Sequence, residues 1–338
     1  MPIGAFICGC SGLALTVDEL AFIRDSHPWG LILFKRNVDS PAQVAALTRQ
    51  FRETAGRENA PVLVDQEGGR VQRLGPPHWP RYPAAARFGA VYAADPLRGI
   101  AAARAVTRLI ADDLRQVGIT VDCLPVLDVP QPGSHDIIGD RAYATSAESV
   151  AVLARSAIAG ALSGGVLPVI KHIPGHGRAK ADSHLSLPVV QASREELSRT
   201  DFLPFAALAD APMAMTAHVV YTALDAELPA TLSAEVIQSV IRGAIGFNGL
   251  LMSDDLSMRA LSGTMRSRAA GAIAAGCDVA LHCNGELGEM HEVAAAAGSL
   301  DGPALARAEA ALDCLRGPQE FDRQAAEREL ERLMLPTA

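Results

Sequence analysis

The sequence contains no run of about 20 apolar residues, the length that a helix needs to cross a bilayer. Its first 15 residues, MPIGAFICGCSGLAL, are apolar but carry no Lys or Arg, so they lack the basic start of a secretory signal. The sequence therefore predicts a protein that neither spans a membrane nor is exported, and we expect a cytoplasmic location.

The chain also has no excess of positive charge, since 38 acidic side chains outnumber 30 basic ones and the net charge is −8. A partner such as nucleic acid or an acidic membrane surface selects for basic faces, so neither is expected. The six cysteines have no zinc-ribbon spacing and are predicted to be buried reduced thiols. No low-complexity tract or linker divides the chain, which predicts a single domain over 1–338, and we expect a monomer.

Short apolar runs alternate with amphipathic stretches along the chain. The runs that predict strands are 4–9, 31–34, 61–65, 119–127, 167–171, 212–217, 249–253 and 278–282. The stretches that predict helices are 41–55, 98–117, 145–163, 193–209, 233–244 and 262–275, with a solvated helix at 319–333. Eight such units favour an α/β fold, a single (β/α)8 barrel with a C-terminal helical extension. A doubly wound sheet is the alternative, but the phosphate-binding motifs GxGxxG and GxxxxGK[ST] are absent.

Polar side chains follow most of the predicted strands, and two long segments, 75–84 and 129–144, interrupt the rhythm. The residues after the strands are Asp65, Arg70 and Arg73; Asp128, Asp140 and Arg141; Lys171 and His172; His218; Asp254 and Asp255; and His282 and Asn284. In a parallel barrel the active site lies at the carboxyl ends of the strands, and long loops are usually functional. We therefore expect these side chains to converge on one face.

One stretch, KHIPGHGRAKADSHLSLP at 171–188, concentrates metal-binding residue types, namely His172, His176, Asp182 and His184. A zinc site is one interpretation of it. However, Pro174 and Gly175 separate the first two histidines, which excludes the helical HExxH arrangement. The cations Lys171 and Arg178 would also repel a divalent ion. The sequence is accordingly predicted to bind neither a metal nor a cofactor.

The residue types on this face suit the chemistry of sugars. A carboxylate from Asp254 or Asp255 can attack an anomeric carbon while a second group protonates the leaving oxygen. A histidine can be that second group because its pKa lies near neutrality, and Asp182 beside His184 favours the protonated form. Successive strand residues face opposite ways, so alternation alone does not choose between the two neighbouring aspartates. No Ser or Cys lies in a nucleophile-elbow context.

Several segments resemble the single-domain bacterial β-N-acetylglucosaminidases of glycoside hydrolase family 3. They are DQEGGRVQRL (65–74), IGDRAY (138–143), KHIPGHG (171–177), DSH (182–184), MTAHVVY (215–221) and GFNGLLMSDDLSM (246–258). The resemblance implies a (β/α)8 barrel and a retaining hydrolase that removes terminal β-linked N-acetylglucosamine. Family members of this form usually act in the cytoplasm on muropeptides, cleaving N-acetylglucosamine from 1,6-anhydro-N-acetylmuramic acid.

The same resemblance implies roles for individual residues. Asp254 would be the nucleophile, His184 the general acid/base and Asp182 its partner. The positions that would bind the sugar are Asp65, Arg73, Arg141, Lys171 and His172.

One departure from the family is the pair Arg178-Ala179, since Asp-Thr usually follows GHG. Other functions stay open at this point. A β-N-acetylglucosaminide phosphorylase would use the same site, because a neutral histidine repels phosphate less than a carboxylate does and cations line the site. A broader exo-β-glycosidase, a non-catalytic sugar-binding protein and a metallohydrolase are further alternatives. The expected partner is a small carbohydrate or muropeptide substrate.

Overall fold

The structure, a computed structural model, describes residues 2–183 and 185–335. Among these residues, parallel strands close into an eight-stranded barrel in which each strand pairs with its neighbour along the chain and the last pairs with the first. The strands, β1 to β8, are Gly4–Cys8, Pro28–Leu33, Val62–Val64, Val121–Asp122, Leu167–Ile173, Met213–Thr216, Leu250–Asp255 and Val279–His282. Every predicted run overlaps one of them, so the predicted (β/α)8 barrel is confirmed.

Helices surround the barrel on its outer side. They are Val17–Ser26, Pro41–Ala55, Ala85–Ala94, Pro96–Gln116, Ala147–Ser163, Arg194–Arg199, Phe202–Ala207, Val236–Ala244, Met265–Ala275, Leu287–Ala297, Gly302–Asp313 and Arg323–Met334. Ser40, Ser146 and Thr264 cap three of the predicted helices by accepting a backbone N–H of the first turn. None of the helices in the described part of the chain is both long and apolar enough to cross a membrane.

The C-terminal extension packs against helix Pro96–Gln116. The Arg323 guanidinium lies 2.8 Å from Asp112 Oδ2 and 2.7 Å from Asp113 Oδ1. At the other end of the extension, Arg98 Nε donates to the carbonyl of Leu333 at 2.6 Å. The predicted terminal helix is therefore present and is attached to the barrel at both of its ends.

The predicted helix 193–209 is instead two short helices that break at Thr200 and Asp201. Pro204 explains the break, because it has no N–H to donate and its ring would clash with the carbonyl of Thr200, four residues earlier. The predicted strand 119–127 is likewise short, since Pro125 cannot donate to the ladder. Both differences arise from a proline inside a segment whose apolar pattern continues through it.

Two barrel strands carry an extra residue close to their carboxyl ends. In β7, the three-residue step from Met252 to Asp255 faces the two-residue step from Val279 to Leu281 in β8. In β5, the step from Lys171 to Ile173 faces a single step in β6. A bulge of this kind bends the strand and re-aims its side chains, and bulges are frequent beside active sites.

A hairpin formed by Gln66–Gly68 and Val71–Gln72 follows β3 directly. Its turn needs glycine, because Gly68 and Gly69 both have positive φ, and a Cβ on Gly68 would collide with the carbonyl oxygen of Pro83. The hairpin turns the chain back across the open end of the barrel.

Candidate active site

A cavity of ≈ 350 Å³ lies at the carboxyl ends of the barrel strands. Six of the eight residues predicted to be catalytic or sugar-binding line it together: Asp65, Arg73, Arg141, Lys171, His172 and Asp254. Its apolar wall includes Phe34, Ile137, Ile138, Met215 and Met258. A polar floor with apolar sides suits a small ligand that has hydroxyl groups and a less polar face.

A network of five charged side chains lies beside the cavity, and four of them, all but Glu67, line it. Lys171 is buried, and its Nζ lies 2.9 Å from Asp65 Oδ1 and 2.7 Å from Glu67 Oε1. Arg141 donates two parallel hydrogen bonds of 2.8 Å to the Glu67 carboxylate. Arg73 Nη2 donates to Asp65 Oδ2 at 3.0 Å. Each carboxylate thus bridges two cations, which fixes the geometry of the whole group.

The network keeps its members charged although most of them are buried. Burial opposes the ionisation of Glu67, but Lys171 and then Arg141 outweigh it and lower the pKa of Glu67 to about 2. Burial likewise opposes ionisation of Asp65, and Lys171 and Arg73 still hold the pKa of its carboxyl well below its usual range. The two carboxylates raise the pKa of Lys171 above its ordinary value against the effect of burial. At neutral pH the site therefore presents fixed charges to a ligand.

Asp128 is buried, and its carboxylate joins the end of β5 to the loop that follows it. Its Oδ2 lies 2.7 Å from Nδ1 of His172, and its Oδ1 accepts the backbone N–H groups of His172 at 3.2 Å and His176 at 2.6 Å. Burial opposes ionisation of Asp128, and His172 and its hydrogen bond lower the pKa of the carboxyl to about 2. Since the carboxylate accepts, His172 carries a proton on Nδ1 and its ring is held in one orientation.

His176 connects the strand end to the loop. Its ring centroid lies 5.7 Å from that of His172, and its Nε2 lies 3.2 Å from Ser183 Oγ. Burial is the largest effect on the ring and lowers the pKa of His176 to about 4, so it is neutral at pH 7. The residue braces the loop against the barrel.

The two neighbouring aspartates of β7 have different surroundings. The Asp255 carboxylate accepts the backbone N–H groups of Ser257 at 3.0 Å and Cys283 at 3.1 Å, and the Ser257 hydroxyl at 2.6 Å. One oxygen of Asp254, Oδ1, accepts the N–H of Asp255 at 2.8 Å. Both residues line the cavity, but the carboxylate of Asp255 is occupied in holding local backbone. The prediction that Asp254 is the reacting group rests on the family resemblance.

The loop that contains DSH reaches the edge of the cavity. Ser183 lines the cavity, and its carbonyl accepts the N–H of Ala260 at 3.2 Å. Asp182 is next to it, does not itself line the cavity, and accepts the N–H groups of Leu185 and Ser186 with its carbonyl. His184 lies outside the described residues.

Arg178, where the sequence departs from the family that it resembles, anchors the first half of this loop. Its Nε donates to the buried Asp201 at 2.6 Å, its Nη1 to Glu196 at 2.7 Å and its Nη2 to Thr200 Oγ1 at 2.8 Å. Ala179 is buried, and its carbonyl accepts the N–H of His135 at 2.8 Å. The unusual pair thus attaches the loop to the short helices beside it and to the 129–144 segment.

Some predicted residues lie elsewhere or have other roles. His282 is buried outside the cavity, and its Nε2 lies 2.9 Å from Glu289 Oε2. Arg70 lines the cavity rim, where it pairs with Asp136 and Asp140 of the 129–144 segment. The described residues include no cluster of three or more His, Cys, Asp or Glu side chains suited to a metal ion.

Glu67 is the main site residue that sequence reasoning missed. It stands two positions after Asp65 within the motif DQEGGRVQRL. A charged residue directly after a buried strand was a usable signal, but its partners Lys171 and Arg141 are distant in the chain. The hairpin that follows β3 folds it back onto them.

A (β/α)8 barrel with a carboxylate and a rigid charge network at its carboxyl end has the architecture of a glycoside hydrolase. The chain belongs to glycoside hydrolase family 3, since the Glycosyl hydrolase family 3 N terminal domain matches residues 13–312.

Individual relatives match most of the chain. A beta-hexosaminidase of Alkalilimnicola ehrlichii is 41% identical over 288 residues, which are 84% of this chain and 82% of that protein. The crystal structure of native NagZ from Neisseria gonorrhoeae has 32% identity and a TM-score of 0.88, with 99% of each chain covered. A family 3 β-N-acetylglucosaminidase from Paenibacillus sp. has 30% identity and a TM-score of 0.79, covering 99% of this chain and 62% of that one.

Proposed function

We propose that this chain is a retaining exo-β-N-acetylglucosaminidase that removes terminal β-linked N-acetylglucosamine. The observation that carries the proposal is the single cavity that Asp254 shares with Asp65, Arg73, Arg141, Lys171 and His172. A carboxylate facing a rigid set of donors and acceptors suits attack on the anomeric carbon of a bound sugar. The beta-hexosaminidases and β-N-acetylglucosaminidase among its relatives support the choice of sugar.

The proposed reaction has two steps. His184, as a cation stabilised by Asp182, protonates the glycosidic oxygen while Asp254 bonds to C1 and the aglycone leaves with the bonding electrons. His184, now neutral, then takes a proton from water, the water oxygen bonds to C1, and Asp254 is released. The position of Ser183 at the cavity supports this role for its neighbour in the loop.

The substrate that we propose is the muropeptide unit N-acetylglucosamine–1,6-anhydro-N-acetylmuramic acid, in the recycling of peptidoglycan in the cytoplasm. We further propose that the whole of 1–338 acts as one catalytic unit and as a monomer. The native NagZ structure, which covers 99% of both chains, supports a catalytic unit of this size.

Product analysis tests the proposal directly. The full chain is incubated with an aryl β-N-acetylglucosaminide and with the muropeptide unit, each with and without phosphate. We expect N-acetylglucosamine, released first as the β-anomer, at a rate that phosphate does not change. A sugar 1-phosphate product would mean a phosphorylase, and an α-anomer released first would contradict the covalent intermediate. Equal turnover of an aryl β-glucoside would indicate a broader glycosidase.

A further inference from the structure

Three buried polar side chains behind the cavity have no role in the reaction proposed above. Thr216 ends β6, His218 follows it, and Thr231 comes from the next turn of chain, Ala230–Leu232. All three are fully buried. Buried polar groups are retained at a cost unless they are hydrogen-bonded, so the partners of these three decide what they do.

The three side chains join two backbone groups of β7. Thr216 Oγ1 accepts the N–H of Asp254 at 3.2 Å. The two threonine hydroxyls are 2.7 Å apart, and Thr231 Oγ1 lies 2.8 Å from Nδ1 of His218. Nε2 of His218 lies 2.9 Å from the carbonyl oxygen of Asp255. The chain of contacts therefore starts at one residue of the aspartate pair and ends at the other.

The direction of each hydrogen bond follows from this arrangement. A carbonyl oxygen can only accept, so His218 donates from Nε2 to Asp255. In the neutral ring Nδ1 is then an acceptor, and the single hydroxyl hydrogen of Thr231 is shared between it, at 2.8 Å, and the carbonyl oxygen of Ala217, at 3.1 Å. The hydroxyl of Thr216 in turn donates to Thr231. Burial, the largest effect on the ring, lowers the pKa of His218 and so favours this neutral form.

The backbone groups held by these three side chains position the Asp254 carboxylate. The peptide N–H of Asp255 donates to Asp254 Oδ1. Thr216 accepts the N–H of Asp254, and His218 donates to the carbonyl of Asp255, so this peptide is held on both sides. The segment needs such support because it contains the bulge, where the regular ladder with β8 is interrupted. Ser253 Oγ accepts the N–H of Leu281 there, at 2.9 Å, in place of a backbone carbonyl.

We propose that Thr216, Thr231 and His218 are positioning residues that hold the carboxylate of Asp254 in line with the anomeric carbon. This inference rests on the proposed role of Asp254 as the nucleophile. None of the three residues lines the cavity, so they should act on the rate of attack and not on sugar binding. A small displacement of a reacting group costs a large factor in rate, so a modest loosening of the bulge is measurable.

The test compares Thr231→Val, which keeps the shape and removes the hydroxyl, with Thr231→Ser, which keeps the hydroxyl. The matched control is Thr107→Val, because Thr107 is also buried but bonds to carbonyls of its own helix. Turnover of an aryl β-N-acetylglucosaminide, the inhibition constant of N-acetylglucosamine and the urea unfolding curve are measured for each. Hydrogen exchange of the Asp254 amide is followed in parallel.

We expect Thr231→Val to lower kcat by about 10- to 100-fold with little change in KM or in the inhibition constant. Thr231→Ser should recover most of the rate, Thr107→Val should keep it, and the Asp254 amide should exchange faster in Thr231→Val. An unchanged kcat in a folded Thr231→Val protein would overturn the inference, as would an equal loss in kcat and sugar binding that serine does not rescue. If the wild-type protein does not hydrolyse the substrate, the proposed function fails. In that event unchanged exchange at Asp254 would overturn the positioning role as well.

Discussion

Lys171 and Glu67 are in direct contact beside the cavity, with Nζ 2.7 Å from Oε1 and both side chains nearly inaccessible to solvent. Lys171 belongs to β5, whereas Glu67 belongs to the hairpin after β3. The contact therefore spans the short strand β4 and fixes the hairpin after β3 to the carboxyl end of β5. Because Glu67 also holds Arg141, it sets the position of two cations at once.

Glu67→Gln should weaken both the fold and sugar binding. The change leaves buried Arg141 without its anionic partner, and breaking a buried pair in this way costs about 3 kcal/mol of unfolding free energy. Displacement of Arg141 and Lys171 should also lower kcat/KM by about 10- to 100-fold. Urea unfolding and steady-state kinetics measure the two effects. Glu53→Gln is the control, since the Arg49–Glu53 pair is exposed and 4.0 Å long; it should change stability by no more than about 0.5 kcal/mol.

Asp254→Ala and Asp255→Ala should have separable effects. We expect Asp254→Ala to abolish hydrolysis of an aryl β-N-acetylglucosaminide in a protein that stays folded, because the carboxylate that we propose bonds to C1 is gone. Asp255→Ala leaves the N–H groups of Ser257 and Cys283 without their acceptor, which should reduce stability by about 1–3 kcal/mol. Near-normal turnover by Asp254→Ala would exclude it as the nucleophile.

His184→Ala should slow the release of poor leaving groups far more than that of activated ones. An acidic phenol needs little protonation as it departs, whereas the sugar alcohol of a muropeptide needs a full proton. Comparing kcat/KM over a series of aryl glycosides of graded acidity measures the effect. A uniform loss across the series would argue against His184 as the general acid.

His176 should make the protein less stable as the pH falls from 6.5 to about 4. Burial lowers the pKa of its ring from 6.5 to about 4, against the opposing effect of Asp128, while nearby His172 adds to the lowering and Asp254 opposes it. In this window the unfolded chain binds a proton that the folded protein excludes. The unfolding free energy therefore decreases as the pH is lowered, by about 3 kcal/mol in total. Unfolding free energies measured at several pH values should change less with pH for His176→Gln than for the wild-type protein over this range. An identical pH slope in the two proteins would show that His176 does not titrate in this way.

Arg178→Met tests the anchor of the loop. Removing the guanidinium leaves the buried carboxylate of Asp201 without its cation, and hydrogen bonds to charged groups contribute about 1.5–3 kcal/mol each, so we expect a loss of about 2 kcal/mol. Arg199→Met is the matched control, since Arg199 pairs with Glu195 on the exposed surface of the adjacent helix. Its effect should be close to zero. Equal stability of the two variants would mean that the contact with Asp201 does not hold the loop.

The sequence allowed the barrel to be predicted because its strands are buried on both faces and so appear as unbroken apolar runs. It also allowed Lys171 and Asp65 to be placed at the cavity, because polar residues directly after such runs lie at the carboxyl ends of the strands. Glu67 could not be selected in the same way, since its importance depends on partners that the fold brings from distant loops. The hydrogen bonds that connect Thr216 to His218 could not be predicted for a related reason, because the hydroxyl that links the two side chains belongs to Thr231.

The choice between Asp254 and Asp255 shows a different limit. Side-chain alternation assumes regular pairing, and the extra residue of β7 becomes visible only from its register with β8. The local sequence MSDDLSM does not reveal how many residues of the neighbouring strand it faces.

The extra residue in β7 also limits how this barrel can be redesigned. A substitution at Ser253 changes one side chain, but a deletion of Ser253 would bring the strand back into regular register with β8. Asp255 would then take the place of Asp254, the proposed nucleophile, at the cavity. The number of residues in β7 therefore helps to decide which aspartate faces the cavity. Transferring the site to another scaffold requires a strand with the same extra residue.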